Sequence, residues 1–421
     1  MLIVLARAIT YLLALAALGL AVLLYHRIRS RWGLALWFPK VLAGSLAPLL
    51  VGVSALSALM GLWLHAPLAA LAGAVGAVLS AVYVGRMAGQ RVGLAVPSVH
   101  RSWRPGAQPR WERDIPFWQV PGCARPLLCD LWRPPVGVEP SGVALVYYHS
   151  SAWHLSDKDV WTRPLFQHLT EQGHVVMDVA YRLCPEVDLF GMLGDAKRAI
   201  AWMKANAARY DVDPERVVAA GASAGGQLAL LAAYTPGHPA LTPADLRGSD
   251  TSVRAVVSCY GVTDLRAFCQ YTGSILPGTR FLDRVVAGPL LRLAERITSL
   301  IPGIPIAGQL WKLGSLSESG IIGNLLGLQA HESSALWDLA SPVAHAGVHC
   351  PPTFLIQGAH DTVIPLPATQ ALAEKLAGEG VPVVSVVLPN TDHMYDLVLP
   401  QVSPAARVAL AHLDRFLAQL A

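Results

Sequence analysis

The stretch that most constrains this chain runs Arg216-Val-Val-Ala-Ala-Gly-Ala-Ser-Ala-Gly-Gly-Gln-Leu-Ala-Leu-Leu-Ala-Ala-Tyr234. A short apolar run of β character, residues 217–220, passes through a cluster of small residues into a run of helical character, residues 227–234. A strand must turn sharply into a helix there, and only small neighbours leave room for it. Such a turn holds the Ser223 hydroxyl clear of the sheet, at the positive end of the helix that follows. The G-x-S-x-G pattern is short, and two other structures compete for it: a glycine turn that merely lets a helix pack closely, and a phosphate-binding turn. No Lys follows the glycines, and no acidic residue occupies the twenty positions after Ser223, which weighs against phosphate.

Composition adds a second constraint. Of 421 residues, 53% are hydrophobic and only 14% charged, and the mean hydropathy of +0.44 implies that part of the chain lives in lipid. Residues 8–25, 41–64 and 68–84 carry no charge. The first two are long enough to cross about 30 Å of hydrocarbon, and the third is short for it. A secretory leader is the competing reading of the first run, but an arginine-rich stretch and two more apolar runs follow it. Arg27, Arg29, Arg31 and Lys40 lie in the first loop, Arg86, Arg91, Arg101 and Arg104 follow the third run, and a lone Arg7 precedes the first. Three spanning helices in a region over residues 1–96 then place the N-terminus outside and everything after residue 85 in the cytoplasm. A re-entrant third run would reverse that orientation. Ala70, Gly73, Gly76 and Ser80 recur at helical spacing, which suits close helix contact. Charge-free runs argue against a channel or pump. The net charge of +4, with no basic and aromatic cluster on the polar part, argues against nucleic acid. Six cysteines show no C-x-x-C spacing, so no zinc site or redox pair is indicated.

Residues 97–115 read as a linker, and residues 116–421 as one domain of alternating strands and helices. Strands are expected over 127–132, 143–148, 174–178, 217–220, 255–258, 353–357 and 383–388, with helices over 192–209, 227–234, 368–377 and 404–420. Continuous apolar strands alternating with helices imply a mostly parallel sheet covered on both faces. Residues 266–338 break the rhythm. They carry an amphipathic run, with Leu282, Val286, Leu293, Ile297 and Leu300 on one face, and are expected to form a helical lid.

A serine hydroxyl attacks well only when a base takes its proton and an acid holds that base in one tautomer. Both partners are expected after Ser223, in loops at the carboxyl edge of the sheet. Asp361 follows the strand at 353–357, and His393 follows the strand at 383–388. His360 and Asp392 are their immediate rivals, and Asp264 is the alternative acid. His345 and His349 precede their strand and read as polar loop residues, a zinc pair without a third ligand being the lesser reading. An oxyanion needs backbone N–H groups: that of Ala224, and others from the loop beginning His149-Ser150-Ser151-Ala152-Trp153.

That loop is also where a resemblance becomes specific. His149-Ser-Ser-Ala-Trp-His-Leu-Ser-Asp-Lys158 resembles the H-G-G-x-W-x-x-G-D-K stretch of small α/β-hydrolase esterases and arylformamidases, near the hormone-sensitive-lipase group. Tyr181-Arg-Leu-Cys-Pro-Glu186, Val212-Asp-Pro-Glu-Arg216, the Asp361 loop and Asp392-His393 are similar to further motifs of that group. The resemblance spans about residues 116–421, without the insertion, and none of the apolar runs. It implies an α/β-hydrolase fold with a Ser223–Asp361–His393 triad. It further implies an oxyanion hole from Ser150, Ser151 and Ala224, with His149 and Trp153 at the substrate. Ser150 and Ser151 stand where the family has glycines, which puts substrate size and the exact donors in question. The leading expectation is a serine hydrolase cleaving lipophilic esters, held in a bacterial inner membrane and in contact with its lipid, needing no cofactor or metal. An amidase or arylformamidase on the same triad is the alternative. A non-catalytic binding protein on a hydrolase scaffold is the reading from another class.

Overall fold

The structure, a computed structural model of the 421-residue chain, describes residues 1–29, 36–91, 108–275, 323–328 and 332–420. The chain divides into two compact units. One comprises Met1–Val96, Gln357–Leu366 and Val386–Arg415, and the other Pro97–Ile356, Pro367–Ser385 and Phe416–Ala421.

Among the described residues, the N-terminal part of the first unit forms α1 (Leu2–Leu23), α2 (Trp37–Ser45), α3 (Ala47–Trp63) and α4 (Pro67–Arg91). Among the described residues, α1 and α4 are each long and apolar enough to cross a membrane, while α2 and α3 meet at 83° and make a third span only if taken together. The sequence reading expected one helix over 41–64. Pro48, in the first turn of α3, has no N–H to return to the Gly44 carbonyl and its ring crowds that oxygen, so the helix breaks there. The run at 68–84 instead extends into the 25-residue α4, because the helix continues past the charge at Arg86 to Arg91.

Leu12, Leu15, Leu56, Leu59, Leu71 and Val78 are exposed on these helices, whereas Ala14, Ala17, Ala21 and Ala69 are buried between them. The large apolar side chains point outward and the small ones inward, the reverse of a water-soluble bundle. The helices therefore approach backbone to backbone. A Cβ on Gly73 would lie 2.5 Å from the Ala58 nitrogen and 2.6 Å from the Ser54 carbonyl, and one on Gly61 2.5 Å from the Ala70 nitrogen. The small-residue spacing noted in the sequence serves this contact.

Among the described residues, eight strands form one sheet: β1 (Arg110–Trp118), β2 (Leu127–Arg133), β3 (Gly142–Tyr148), β4 (Val175–Ala180), β5 (Val212–Ala222), β6 (Ala255–Cys259), β7 (Thr353–Gly358) and β8 (Val383–Leu388). Their order is β1-β2-β4-β3-β5-β6-β7-β8. β1 pairs β2, and β2 pairs β4, antiparallel, while β3 to β7 run parallel. β3 and β7 are buried almost throughout, which is why they read as unbroken apolar runs. β1 begins at Arg110, inside the stretch expected as linker. Its polar residues hid it, and Trp111 stacking on Trp132 at 4.4 Å helps hold it on the sheet.

Among the described residues, the helices that alternate with the strands include α5 (Arg163–Glu171), α6 (Leu189–Ala205), α7 (Ala224–Tyr234), α8 (Leu265–Ile275), α9 (Leu336–Leu339), α10 (Leu366–Gly378) and α11 (Pro404–Leu417). The expected lid at 266–338 falls largely outside the described residues, which retain α8 and α9 from it.

Gly73→Leu is expected to destabilise the helical unit by about 1–3 kcal/mol, because α3 and α4 cannot close over a side chain there. Thermal unfolding of the detergent-solubilised protein measures this, and an unchanged midpoint would contradict the packing described.

Candidate active site

Ser223 sits between β5 and α7 with φ 54° and ψ −120°, in the left-handed half of backbone space that a serine seldom enters. Its N–H donates to the Cys259 carbonyl at 2.9 Å, and its carbonyl accepts the first helical bond from Gln227 at 3.1 Å. The turn is possible because Gly221, Gly225 and Gly226 around it lack side chains. A Cβ on Gly221 would run into the Gly225 carbonyl, one on Gly225 into the Tyr148 carbonyl, and one on Gly226 would sit 2.7 Å from Ser258 Oγ. Holding a residue in such a conformation costs of order 1–3 kcal/mol, which the surrounding packing must offset. The Ala224 N–H opens α7, where a backbone donor has no acceptor within its own helix.

The loop after β3 is braced from below. The Tyr181 hydroxyl donates to the His149 carbonyl at 2.7 Å and shares a 2.8 Å hydrogen bond with the Ser151 hydroxyl. Ser151 Oγ also accepts the Trp153 N–H at 2.9 Å. Arg182, beside Tyr181, is clamped by Asp195 through contacts of 2.8 and 2.7 Å, and Asp195 also meets Arg198 at 3.0 Å. Neither Ser150 nor Ser151 has a positive φ; in this loop the left-handed residues are Ala152, Trp153, Ser156, Asp159 and Trp161. The serines standing for family glycines therefore impose no backbone conflict, and the Ser151 side chain is absorbed in bracing.

His149 and Trp153, expected at the substrate, are 1% and 3% exposed. The His149 ring stacks on Tyr181 at 4.4 Å, and Trp153 Nε1 donates to Gln227 Oε1 at 2.8 Å. Gln227 in turn donates to the Ala340 carbonyl at 2.8 Å. These bonds tie the loop to α7, a role that Tyr181 and Gln227 do not reveal in sequence.

In the other unit, His393 Nδ1 lies 3.0 Å from Asp361 Oδ2. That bond assigns the ring hydrogen to Nδ1 and makes Nε2 the acceptor nitrogen of the ring. Asp361, 2% exposed, also accepts the Val363 and Ile364 N–H groups at 2.8 Å and Gln357 Nε2 at 3.2 Å. Its lone pairs are fully used, as a buried carboxylate requires. The two loops approach so closely that a Cβ on Gly358 would strike the Thr391 carbonyl, and the His360 N–H donates to that carbonyl at 2.9 Å.

The rivals are otherwise engaged. Asp264 caps α8, accepting the Ala267 N–H at 2.9 Å. His345 and His349 each bond a carbonyl, of Leu339 and Tyr234, at 3.1 Å. Asp392 accepts the N–H groups of Thr362 at 2.9 Å and His393 at 2.8 Å. Burial, and secondarily the Lys40 cation, hold His360 down to about 4.

Burial also lowers the His149 imidazole, to about 4. Among the described residues its Nε2 has no hydrogen-bond partner, so protonation would place an uncompensated charge inside. The unfolded imidazole, near 6.5, takes up a proton first. Its contribution to stability is thus present above about pH 6.5 and lost as pH falls toward about 4. His149→Phe, which keeps the ring on Tyr181 but cannot titrate, is expected to lose less of its unfolding temperature than wild type between pH 7 and pH 4.5. Parallel losses in thermal scans would refute this.

The sequence comparisons accord with this architecture. The family model described as BD-FAE matches residues 129–287. The probable carboxylic ester hydrolase LipM of Mycobacterium tuberculosis is 30% identical over 69% of this chain and 58% of its own length. Esterase LipQ of the same organism is 29% identical over 72% of this chain and 60% of its own. The chain thus spans somewhat more than half the length of these curated relatives. Among solved structures, a truncated carbohydrate esterase from gut microbiota superposes with a TM-score of 0.54 at 17% identity, covering 75% of this chain and 98% of that one. Thermogutta terrifontis esterase 2 phosphonylated by sarin gives 0.51 at 19% identity, covering 75% and 95%. A strand–serine–helix turn, a histidine–aspartate pair after β7 and β8, and these relatives together identify the chain as a member of the α/β-hydrolase superfamily, resembling its esterases.

Proposed function

We propose that this protein is a membrane-anchored serine hydrolase that cleaves carboxylic esters of lipophilic substrates through an acyl-enzyme. Ser223 is the nucleophile, His393 the general base and acid, and Asp361 the carboxylate that orients the imidazole. The observation that carries the reading is the strained Ser223 turn opening α7, because a conformation this costly has no use in a turn that only packs a helix. The Asp361–His393 bond supports the base assignment. β5, β7 and β8 each lead into the loop that carries one member, in the chain order usual for α/β-hydrolases.

In the first half-reaction Ser223 Oγ attacks the ester carbonyl while His393 Nε2 takes its proton. The oxyanion accepts the Ala224 N–H and backbone N–H groups of Ser150 and Ser151. The Ser223 N–H is already committed to Cys259, and the Ser151 hydroxyl to Tyr181 and Trp153. His393 then returns the proton to the departing alkoxide, leaving Ser223 acylated, and water repeats the sequence to release the acid. His149 and Trp153 hold the oxyanion loop to its scaffold. Apolar side chains facing outward on α1, α3 and α4 favour a bilayer as the source of substrate.

Ser223→Ala is expected to lower kcat for a soluble short-chain ester by about a thousandfold or more and to abolish fluorophosphonate labelling. Asp361→Asn is expected to cost about 10⁴ in kcat, because the amide stabilises the wrong imidazole tautomer. Labelling that survives in Ser223→Ala would sink the nucleophile assignment, and an anilide turned over faster than its matched ester would move the reading to an amidase. Alkaline carbonate washing of membranes is expected to leave the protein in the pellet, and its release would refute anchoring.

A further inference from the structure

The helical unit carries a buried cation that nothing in the hydrolase chemistry requires. Lys40 lies in α2 and its side chain is 2% exposed, against 1% for that of Asp392, whose Oδ2 lies 3.0 Å from Lys40 Nζ. Removing two charges from water is costly and is retained only where further hydrogen bonds satisfy both groups. Asp392 meets that condition. Its Oδ1 accepts the Thr362 N–H at 2.9 Å and the His393 N–H at 2.8 Å, and its Oδ2 accepts the Thr362 hydroxyl at 2.9 Å together with Lys40.

Thr362 follows Asp361 directly, and Asp392 precedes His393. One carboxylate therefore clasps the backbone of both loops, one bond falling on the residue after Asp361 and the other on the N–H of His393 itself. Lys40 supplies its counter-charge from a helix some 320 residues upstream of His360, whose Nδ1 lies 3.4 Å from the same ammonium. With His360 held neutral, that lone pair is free to accept from Lys40. The other charged or titratable groups acting on this cluster are Arg27, Arg29 and Asp361. The junction continues in Tyr83 of α4, whose hydroxyl lies 3.4 Å from Thr391 Oγ1, and in Arg86, which donates to Asn390 at 3.1 Å.

We propose that Lys40 is a positioning residue for the Asp361–His393 pair, acting through the Asp392 carboxylate, so that the N-terminal helices are a working part of the hydrolase and not only its anchor. This rests on the triad reading above. Without the cation, Asp392 Oδ2 loses the Lys40 ammonium and keeps only the Thr362 hydroxyl, and the buried carboxylate moves to regain a partner. That movement loosens the clasp at Thr362 and His393 and lets the imidazole drift from its orientation. A displacement of about 1 Å at a catalytic group is enough to cost about a hundredfold. Ground-state binding of a small substrate does not use this orientation, so the loss belongs in kcat.

The test uses the full-length protein in detergent micelles with a soluble short-chain ester. Lys40→Met and Asp392→Asn are each expected to lower kcat about 10- to 100-fold, with KM within about threefold of wild type. The double variant removes both charges together, and its kcat is expected to match the weaker single variant instead of falling by the product of the two losses. Lys40→Arg keeps the cation and is expected to keep kcat within about fivefold. Arg86→Ala, which breaks an exposed contact of the same junction, is expected to leave both constants unchanged. Losses that multiply in the double variant, appear in KM, or are matched by Arg86→Ala overturn the proposal. Where Lys40→Met does not fold, Lys40→Arg and Asp392→Asn decide: equal kcat in these two overturns it. A wild-type protein that neither turns over ester nor labels at Ser223 overturns the hydrolase reading instead, and this inference with it.

Discussion

The rest of the structure depends on how closely β3, β5 and the start of α7 approach one another. Gly221, Gly225 and Gly226 lie where a Cβ would collide with a neighbouring carbonyl or hydroxyl. That absence of side chains lets backbone meet backbone, and the chain can only leave β5 by passing through a left-handed residue. Ser223 is that residue. Its strain is held by the bond from its N–H to Cys259 and by the first helical bond from Gln227 to its carbonyl. Gln227 then reaches, through Trp153, the loop after β3. One close contact thus sets the serine, the helix start and the neighbouring loop.

Two carboxylates order the loops after β7 and β8, and their surroundings separate their tasks. Asp361 and Asp392 are both buried and both saturated with donors. Asp361 spends one oxygen on backbone N–H groups and the other on Gln357 and the His393 imidazole, so it faces the ring. Asp392 spends its oxygens on Thr362, the His393 backbone and Lys40, so it faces the scaffold. A buried anion satisfied by neutral donors can serve orientation, whereas one paired with a cation is committed to structure. The helices that carry Lys40 have apolar outer faces and glycine contacts within, the pattern of segments packed without water.

Much of this was legible in the chain. The parallel core was readable because strands buried on both faces must be apolar without interruption, as β3 and β7 are. The serine turn was readable because only small residues tolerate it. β1 was not, since RWERDIPFW mixes charge with aromatic residues and earns its place by stacking Trp111 on Trp132. The break at Pro48 was missed because hydropathy counts apolar residues and ignores the missing N–H. His149 and Trp153 read as substrate contacts, yet they are buried against Tyr181 and Gln227, partners 32 and 74 positions away.

By itself the sequence determined the class of fold and the apolar runs, and it put Ser223, Asp361 and His393 forward in that order, since each follows from local chemistry: side-chain size, periodicity and the residue types that nucleophilic attack demands. It put Asp361 and His393 ahead of the adjacent His360 and Asp392, but did not determine the contacts that any of the four would make. Which oxygen meets which nitrogen depends on how two loops fold back on each other. Nor did it connect Lys40 with Asp392, which reads as one more loop charge until α2 brings it beside a carboxylate 352 positions later. Charge pairing of that kind has no sequence period, and only the folded chain supplies it.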